Sequence, residues 1–276
     1  MSNAYIHAKT LHQLETLVKD LPQSVLVSGP VGIGLKATVT YIADTLKVKS
    51  VYVLPEKDEK VDLEKGVITV DVIRRLYATT KTVETGKRLI VIDYAERMST
   101  QSQNAFLKLL EEPGINTHFI LLTHSVAKAL PTILSRVQIV EVQPISVDQS
   151  SSLLEDLKVT DAQKRAQLLF IAEGLPALMT RLAADDKAFE SRVQIVRDAR
   201  TYLQGSAYDR LKIALTYKDS REDALTVLSD AGKLLKGSIK NGQAKDVLRK
   251  IDAVLSAHER IEANGNIRLQ LASVMF

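Results

Sequence analysis

The sequence predicts an α/β domain with a parallel β-sheet, followed by a C-terminal region that is entirely helical. Five short apolar runs, rich in β-branched residues, alternate with helical stretches over the first half of the 276-residue chain. This alternation is typical of a parallel sheet that is covered by helices on both faces. After Pro144 the strand signals stop, and apolar residues recur with helical spacing instead.

The predicted strands are short and largely apolar, as expected for strands that are buried on both faces of a sheet. They are Ser24–Ser28, Val51–Val53, Leu89–Asp93, His118–Thr123 and Val137–Val142. Between the second and third of them, the segment Lys57–Gly66 is charged and poor in large apolar residues, which predicts an exposed loop.

The helix after the third strand is the most closely specified one. Thr100 and, three residues later, Gln103 fit a capping box, in which each side chain bonds the backbone of the other residue. Pro113 disfavours helical geometry at the residue before it and therefore ends the helix. The sequence thus predicts an amphipathic helix between Thr100 and Pro113 that packs on the sheet.

A glycine-rich segment directly after the first strand is the candidate phosphate-binding loop. Its glycines are Gly29, Gly32 and Gly34. Glycines let a backbone wrap a phosphate, and the helix that follows points its free N–H groups at the anion. A working loop reads G-x-x-x-x-G-K-[ST], with the lysine on the β- and γ-phosphates and the hydroxyl on Mg²⁺.

The loop departs from that pattern at both chemical positions. Counted from the last glycine of the motif, the lysine and hydroxyl positions hold Leu35 and Lys36. One residue on a helix is about 100° of rotation, so Lys36 points in a different direction from a P-loop lysine. An insertion that restored the register of Lys36 would place Ala37 at the hydroxyl position. A vestigial loop, nucleotide binding without turnover and an active site remain the alternatives.

The end of the third strand is a second candidate position of the same site. Asp93 follows four apolar residues, and a strand-ending Asp is where a nucleotide-hydrolysing site holds Mg²⁺. The next residue is Tyr94, where such a site would have a carboxylate that activates water. A role for Asp93 as a cap or hydrogen-bond anchor is the alternative. No other residue pattern in the sequence indicates a metal site.

Several motifs resemble the clamp-loader branch of the AAA+ ATPases, the proteins that place ring-shaped sliding clamps on primed DNA. The helix Asn104–Pro113 matches N-A-x-L-K-x-L-E-E-P and is followed by L-S-R, which ends at Arg136. Ile68–Leu76 matches the family's I-x-V-x-x-I-R-x-L segment. Arg260–Leu271, which reads R-x-x-x-N-x-N-x-x-L-x-L, resembles the segment that closes the collar domain of the bacterial delta-prime group.

The resemblance implies an α/β AAA+ P-loop core with a five-stranded parallel sheet, then a small helical lid and an all-α C-terminal collar. We place the core at residues 1–143, the lid at 144–188 and the collar, which joins subunits, at 189–276. The resemblance is densest in Val25–Val142.

This chain differs from the motor subunits of the family at three positions. In these differences it resembles the family's delta-prime subunits, which do not hydrolyse ATP. Motor subunits have a Glu after the strand-ending Asp, where this chain has Tyr94. Their P-loop Lys–Ser/Thr pair is displaced here, and their lid Arg is replaced by Ala177, three residues after Gly174. The resemblance therefore implies no intrinsic ATPase activity. It also implies no zinc, because the cysteines that bind zinc in many bacterial members are absent.

Ser135 and Arg136 match the Ser-Arg of the family's S-R-C motif. The resemblance implies that Arg136 acts in trans, as an arginine finger that reaches the γ-phosphate in a neighbouring subunit. A guanidinium suits this task because it stays charged and makes paired hydrogen bonds to phosphate oxygens. A surface arginine that caps a helix C-terminus is the alternative. Thr123 matches the family's sensor position at the end of the fourth strand, with a purely structural role as its alternative.

The implied partners are the motor (gamma/tau-type) and delta-type subunits of a clamp loader. The sliding clamp and primer-template DNA would be engaged through the complex, with sequence-independent contacts to phosphates. ATP or ADP held without hydrolysis in the glycine loop stays an alternative to no nucleotide at all. Two rival functions also remain open: a clamp-loader ATPase that uses Lys36 in a shifted loop, and a non-replicative protein-binding adaptor.

Composition limits the remaining functions. The chain has no cysteine, which excludes disulfides and thiolate metal sites. No apolar run approaches the roughly 18 residues of a membrane span, and the first ten residues show no export signal. We therefore expect a cytoplasmic protein with no membrane partner.

Overall fold

The computed structural model describes residues 5–63, 65–80, 86–238 and 244–274. The chain divides into two units, Met1–Ala183 and Ala184–Phe276. Among these described residues, two apolar cores lie in the first unit and one lies in the second. The division of the first 188 residues into a core and a separate lid at residue 143 stays a prediction.

The first unit contains a five-stranded parallel sheet, which confirms the predicted fold class. In chain order the strands are β1 (Ser24–Ser28), β2 (Ser50–Val53), a hairpin of β3 (Glu56–Lys57) and β4 (Lys60–Val61), then β5 (Arg88–Ile92), β6 (Thr117–Thr123) and β7 (Gln138–Glu141). The sheet order is β2-β5-β6-β1-β7, and each neighbouring pair is parallel. Each strand of this sheet begins and ends within one residue of its predicted bounds.

Helices flank the sheet and continue beyond it. They are α1 (Ala8–Lys19), α2 (Leu35–Leu46), α3 (Val70–Thr80), α4 (Thr100–Glu111), α5 (Pro131–Leu134), α6 (Val147–Asp156), α7 (Ala162–Ala172) and α8 (Pro176–Ala184), with 3₁₀ turns at Ala95–Arg97 and Val126–Lys128. Successive side chains of a strand point to opposite faces. Val25 and Val27 therefore pack in the core with α1 and α2, while Leu26 packs in the core with α3 and α4.

The segment Lys57–Gly66 differs from its prediction as a loop. Glu56–Lys57 and Lys60–Val61 pair in an antiparallel hairpin. The two residues between them, Asp58 and Glu59, have φ angles of 51° and 59°. Two left-handed residues in succession make the tight turn whose twist matches paired strands. The charged composition predicted the exposure of this hairpin but not the pairing; residue 64 lies outside the described residues.

The start of α4 also differs from its prediction. Ser99 is the N-cap residue, because its extended backbone precedes the helix and its side chain accepts a hydrogen bond from the Ser102 N–H. Thr100 is therefore the first helical residue, not the cap. Gln103 binds a neighbouring loop instead: its Oε1 accepts a 2.8 Å hydrogen bond from the Leu130 N–H. The helix ends before the proline, as predicted.

The regular elements of the second unit, over its described residues 184–238 and 244–274, are helices. Its helices are α9 (Asp186–Gln204), α10 (Ala207–Thr216), α11 (Arg221–Ser238), α12 (Ala244–Glu262) and α13 (Ile267–Ser273). Tyr202 is fully buried at its centre and donates a 2.5 Å hydrogen bond to the Leu271 carbonyl. Among the described residues, none of the helices has the length and apolar character to span a membrane.

Candidate functional site

The candidate nucleotide site lies at the carboxyl edge of the sheet, the edge at which its parallel strands end. We call it the loop site. It consists of Gly29–Lys36 after β1, Asp93 and Tyr94 after β5, and Thr123 at the end of β6. The order β5-β6-β1 places these three strand ends side by side. The fold therefore brings together the residues that the sequence predicted for the nucleotide site.

The glycine loop turns into α2 through two residues that need glycine. Gly32 and Gly34 have φ angles of 90° and 86°, which residues with a β-carbon disfavour. Leu35, at the position of a P-loop lysine, is only 5% exposed and packs in the core between the sheet and α2. This position therefore contributes to packing and offers no charge to a phosphate.

Lys36 forms an ion pair with Asp93. Its ammonium lies 2.9 Å from Asp93 Oδ2. The contact is electrostatic, because its angles are not those of an aligned hydrogen bond. The carboxylate is nearly buried, with 9% of its side chain exposed, whereas 56% of the Lys36 side chain is exposed. Burial lowers the pKa of Lys36, but the contact with Asp93 outweighs this effect and leaves the pKa raised. The ammonium therefore stays charged at neutral pH.

Tyr94 is held between two neighbouring side chains. Its φ of 56° lies in the left-handed region, which is uncommon for a residue with a bulky side chain. The Arg97 guanidinium lies 4.8 Å from the centroid of its ring, and the His124 ring meets it edge-on at 6.4 Å. The side chain that follows Asp93 is thus engaged in ring contacts, where a hydrolytic site would hold a carboxylate.

His124 is a residue of this site that the sequence did not single out. Its Nδ1 lies 2.8 Å from the Gly29 carbonyl oxygen, and its backbone N–H donates to Glu96 at 3.3 Å. The hydroxyl of Thr123 is bonded locally, because it donates to the Ser125 carbonyl at 3.1 Å and accepts from the Ser125 N–H at 3.0 Å. The signal that could have identified His124 is its place, one residue beyond the end of β6.

The first turn of α8 packs directly on the glycine loop. The Leu178 N–H donates a 3.0 Å hydrogen bond to the Gly32 carbonyl. A β-carbon at Gly32 would lie 2.7 Å from Leu178 Cβ, and one at Gly34 would lie 3.4 Å from Ala177 Cβ. The chain approaches this contact through Gly174, whose φ is 80°. The absence of a side chain at Gly32 is therefore what allows α8 to come this close.

Arg136 lies between α5 and β7, with 40% of its side chain exposed. Its Nη2 is 3.0 Å from Oε1 of Glu111, at the end of α4, and its Nη1 donates to the Thr132 carbonyl at 3.1 Å. Ser135 Oγ donates to the same carbonyl at 3.1 Å. Arg136 therefore bonds the end of a short helix, as the structural alternative predicted.

Arg136 and the loop site lie at opposite edges of the sheet. Arg136 precedes β7, which runs parallel to β1, so it lies at the amino edge, where the strands begin. The glycine loop follows the other end of β1. A strand of this length spans about 15 Å. The length of the strands therefore separates Arg136 from the loop site of its own chain.

The chain is similar to delta' subunits of bacterial DNA polymerase III. A family described as DNA polymerase III, delta subunit, matches residues 43–146. Identity with the DNA polymerase III subunit delta' of Bacillus subtilis is 25% over 213 residues, covering 67% of this chain and 64% of the relative. Identity with that of Pseudomonas aeruginosa is 31% over 153 residues, covering 54% and 44%. The chain thus spans less than two thirds of the length of these relatives.

A solved structure has the same fold. The DNA polymerase III gamma subunit-related protein of Thermotoga maritima superposes with a TM-score of 0.53 at 18% identity, covering 96% of this chain and 97% of that one. This likeness supports the fold class that the sequence predicted, a parallel α/β core followed by helices. The family match and the two relatives show that part of this chain is similar to the delta' subunit of DNA polymerase III.

Proposed function

We propose that the chain is a non-hydrolysing subunit of a sliding-clamp loader that supplies Arg136 in trans to the ATP site of a neighbouring motor subunit. The observation that carries this proposal is the placement of Arg136 and the loop site at opposite edges of one sheet. An arginine at the amino edge serves a nucleotide only if another chain holds that nucleotide.

The loop site does not fit Mg²⁺ and a nucleotide, the ligands that an AAA+ fold implies. A P-loop lysine must reach the β- and γ-phosphates, but Leu35 at that position is buried in the core. Lys36, at the hydroxyl position, contacts Asp93 with its own ammonium. Ala177 brings no charge to the site, and α8 closes on Gly32. We therefore propose that this subunit holds no nucleotide cofactor and turns over no ATP of its own.

The contact between Arg136 and Glu111 costs little to break, which matters for a side chain that must move to another subunit. The two side chains are 40% and 56% exposed, and exposed ion pairs contribute only about 0–1 kcal/mol. A phosphate offers a guanidinium paired, charge-assisted hydrogen bonds. In an interface that excludes water these bonds are stronger than the exposed contact with Glu111.

The proposed partners are a gamma/tau-type motor subunit and a delta-type subunit, with the sliding clamp and primer-template DNA engaged by the assembly in the cytoplasm. The second unit is the candidate for subunit contacts. On α10, Tyr208, Leu211 and Leu215 are 75%, 47% and 48% exposed and recur at helical spacing. An exposed apolar stripe of this kind is typical of a surface that binds another protein.

We expect that the isolated chain neither binds nor hydrolyses Mg²⁺-ATP, because Leu35 is buried at the lysine position and Lys36 is paired with Asp93. Isothermal titration measures the binding, and phosphate release measures the turnover. A saturable heat accompanied by turnover would establish the rival ATPase that uses Lys36. A saturable heat without turnover would contradict the proposed absence of a cofactor and would leave the trans role of Arg136 to be tested separately.

A further inference from the structure

The strand-ending aspartate of the loop site has a cation beside it, and that cation is a side chain. In a working P-loop site, the hydroxyl residue after the loop and the strand-ending Asp hold Mg²⁺. Here Lys36 stands at the hydroxyl position, and its ammonium lies 2.9 Å from Asp93 Oδ2. We propose that the Lys36 ammonium takes the place of the metal ion at Asp93, so that the core folds without Mg²⁺ or nucleotide. This inference rests on the proposed loss of nucleotide chemistry from the loop site.

Asp93 needs a counter-charge because of its position in the sheet. It is 6% exposed and follows β5, which lies between β2 and β6. Its backbone N–H donates to the Val53 carbonyl at 3.0 Å, so strand pairing fixes where the carboxylate lies. One oxygen, Oδ1, accepts a 3.1 Å hydrogen bond from the Tyr94 N–H. A single neutral donor does not compensate for the burial of a full charge, so the remaining oxygen requires a cation.

The surroundings of Lys36 show why the ammonium stays at this point. Lys36 is the second residue of α2, and a positive charge in the first turn of a helix is disfavoured by the helix dipole. A nearby carboxylate removes that penalty. The Tyr52 ring adds a second attraction, because its centroid lies 5.8 Å from the ammonium nitrogen, within the range of a cation–π contact.

The substitution changes how the loop is joined to the sheet. Lys36 links α2, which follows the glycine loop, to the end of β5 through Asp93. In a working site the metal and the nucleotide make that link only while they are bound. A side chain makes the same link within the protein itself, so we expect the loop and the end of β5 to stay joined when no ligand is bound.

Thermal unfolding of the full-length chain in EDTA and in excess Mg²⁺ tests the proposal. Lys36→Thr returns a hydroxyl to its position in the P-loop pattern and leaves Asp93 without its cation. In EDTA we expect the Tm of this variant to fall by about 4–8 °C, because one partner of a nearly buried ion pair is lost. Mg²⁺ should restore about half of that fall by binding to the folded variant, while the wild-type Tm shifts by less than about 1 °C.

Lys9→Thr is the matched control. Lys9 is an exposed lysine at the second position of α1, a helix of 12 residues, as Lys36 is at the second position of α2, also of 12 residues. The control therefore changes helix propensity and helix-dipole energy in the same way and leaves Asp93 untouched. Its Tm should stay within about 2 °C of the wild type in EDTA and should not respond to Mg²⁺.

Three results would overturn the proposal: a Lys36→Thr variant as stable in EDTA as Lys9→Thr, a variant that Mg²⁺ does not restore, or an equal Mg²⁺ response in the wild type. If Lys36→Thr does not fold, Mn²⁺ binding to the wild type, followed by electron paramagnetic resonance, gives the answer. We expect no bound Mn²⁺, and stoichiometric binding that Asp93→Asn removes would contradict us. Neither measurement uses ATP or a partner subunit. A result against the role of Lys36 would therefore leave the proposed trans role of Arg136 untouched.

Discussion

Replacement of Arg136 by alanine should reduce the ATP turnover of a reconstituted clamp loader to its level without clamp and DNA, while the subunits still assemble. A guanidinium stabilises the charge on the transferred phosphoryl group, and in other phosphoryl-transfer systems such a finger contributes roughly 10³–10⁵-fold to the rate. Arg136→Lys keeps the charge but loses the planar, two-pronged donor, so turnover should stay at least about tenfold below wild type. Phosphate release measures turnover, and gel filtration of the same samples measures assembly.

Two variants separate the finger role from the loss of a surface arginine. Arg165 contacts Glu155 at 3.5 Å and donates to a backbone carbonyl, as Arg136 does with Glu111, so Arg165→Ala should leave turnover unchanged. Glu111→Ala removes the ion pair of Arg136 and should leave turnover unchanged or raise it by up to about fivefold, since an exposed pair contributes at most about 1 kcal/mol. Wild-type turnover with Arg136→Ala would contradict the finger role and leave Arg136 as a helix cap.

Replacement of Arg192 by alanine should lower the free energy of unfolding of the second unit by about 2–4 kcal/mol, which urea denaturation followed by circular dichroism would measure. Arg192 on α9 makes a two-pronged contact with Asp230 on α11, and its Nη2 lies 2.8 Å from Oδ1. The side chains are only 13% and 7% exposed. The variant leaves a buried carboxylate that Lys233 compensates only in part, because its Nζ lies 3.8 Å from Asp230 Oδ1.

Arg197→Ala is the control for this prediction, because Arg197 is an exposed arginine of the same helix. Its effect should lie within about 0.5 kcal/mol. The double variant Arg192→Leu with Asp230→Leu should regain most of the lost stability, since apolar residues often replace a buried ion pair without cost. Equal urea midpoints for Arg192→Ala and Arg197→Ala would show that the pair does not hold the second unit together.

The sheet could be predicted from the sequence because its strands are buried on both faces. Burial on both faces leaves an uninterrupted apolar run such as Leu89–Ile92, whose ends are marked by polar residues. The hairpin before α3 gave no such signal. Its strands are only two residues long and are mostly charged and exposed, and Asp58 and Glu59 take left-handed backbone conformations that are more often found for Asn and Gly.

The loop site could be located from motif spacing, but its contacts could not. The spacing placed Lys36 out of register with a P-loop lysine, yet it could not show that Lys36 contacts Asp93 from a helix after another strand. His124 reaches the loop from the neighbouring β6, and Arg97 reaches Tyr94 from a 3₁₀ turn. Such contacts depend on the order of the strands in the sheet, which no single segment of sequence encodes.

One measurement decides whether the chain completes the active site of a neighbour: ATP turnover by the motor and delta-type subunits, with clamp and primed DNA, in the presence and absence of this chain. We expect the chain to raise the stimulated rate although it hydrolyses no ATP alone. The added rate should require Arg136. An assembly whose turnover is the same with and without the chain would contradict the proposal and favour a non-replicative adaptor built on the same fold.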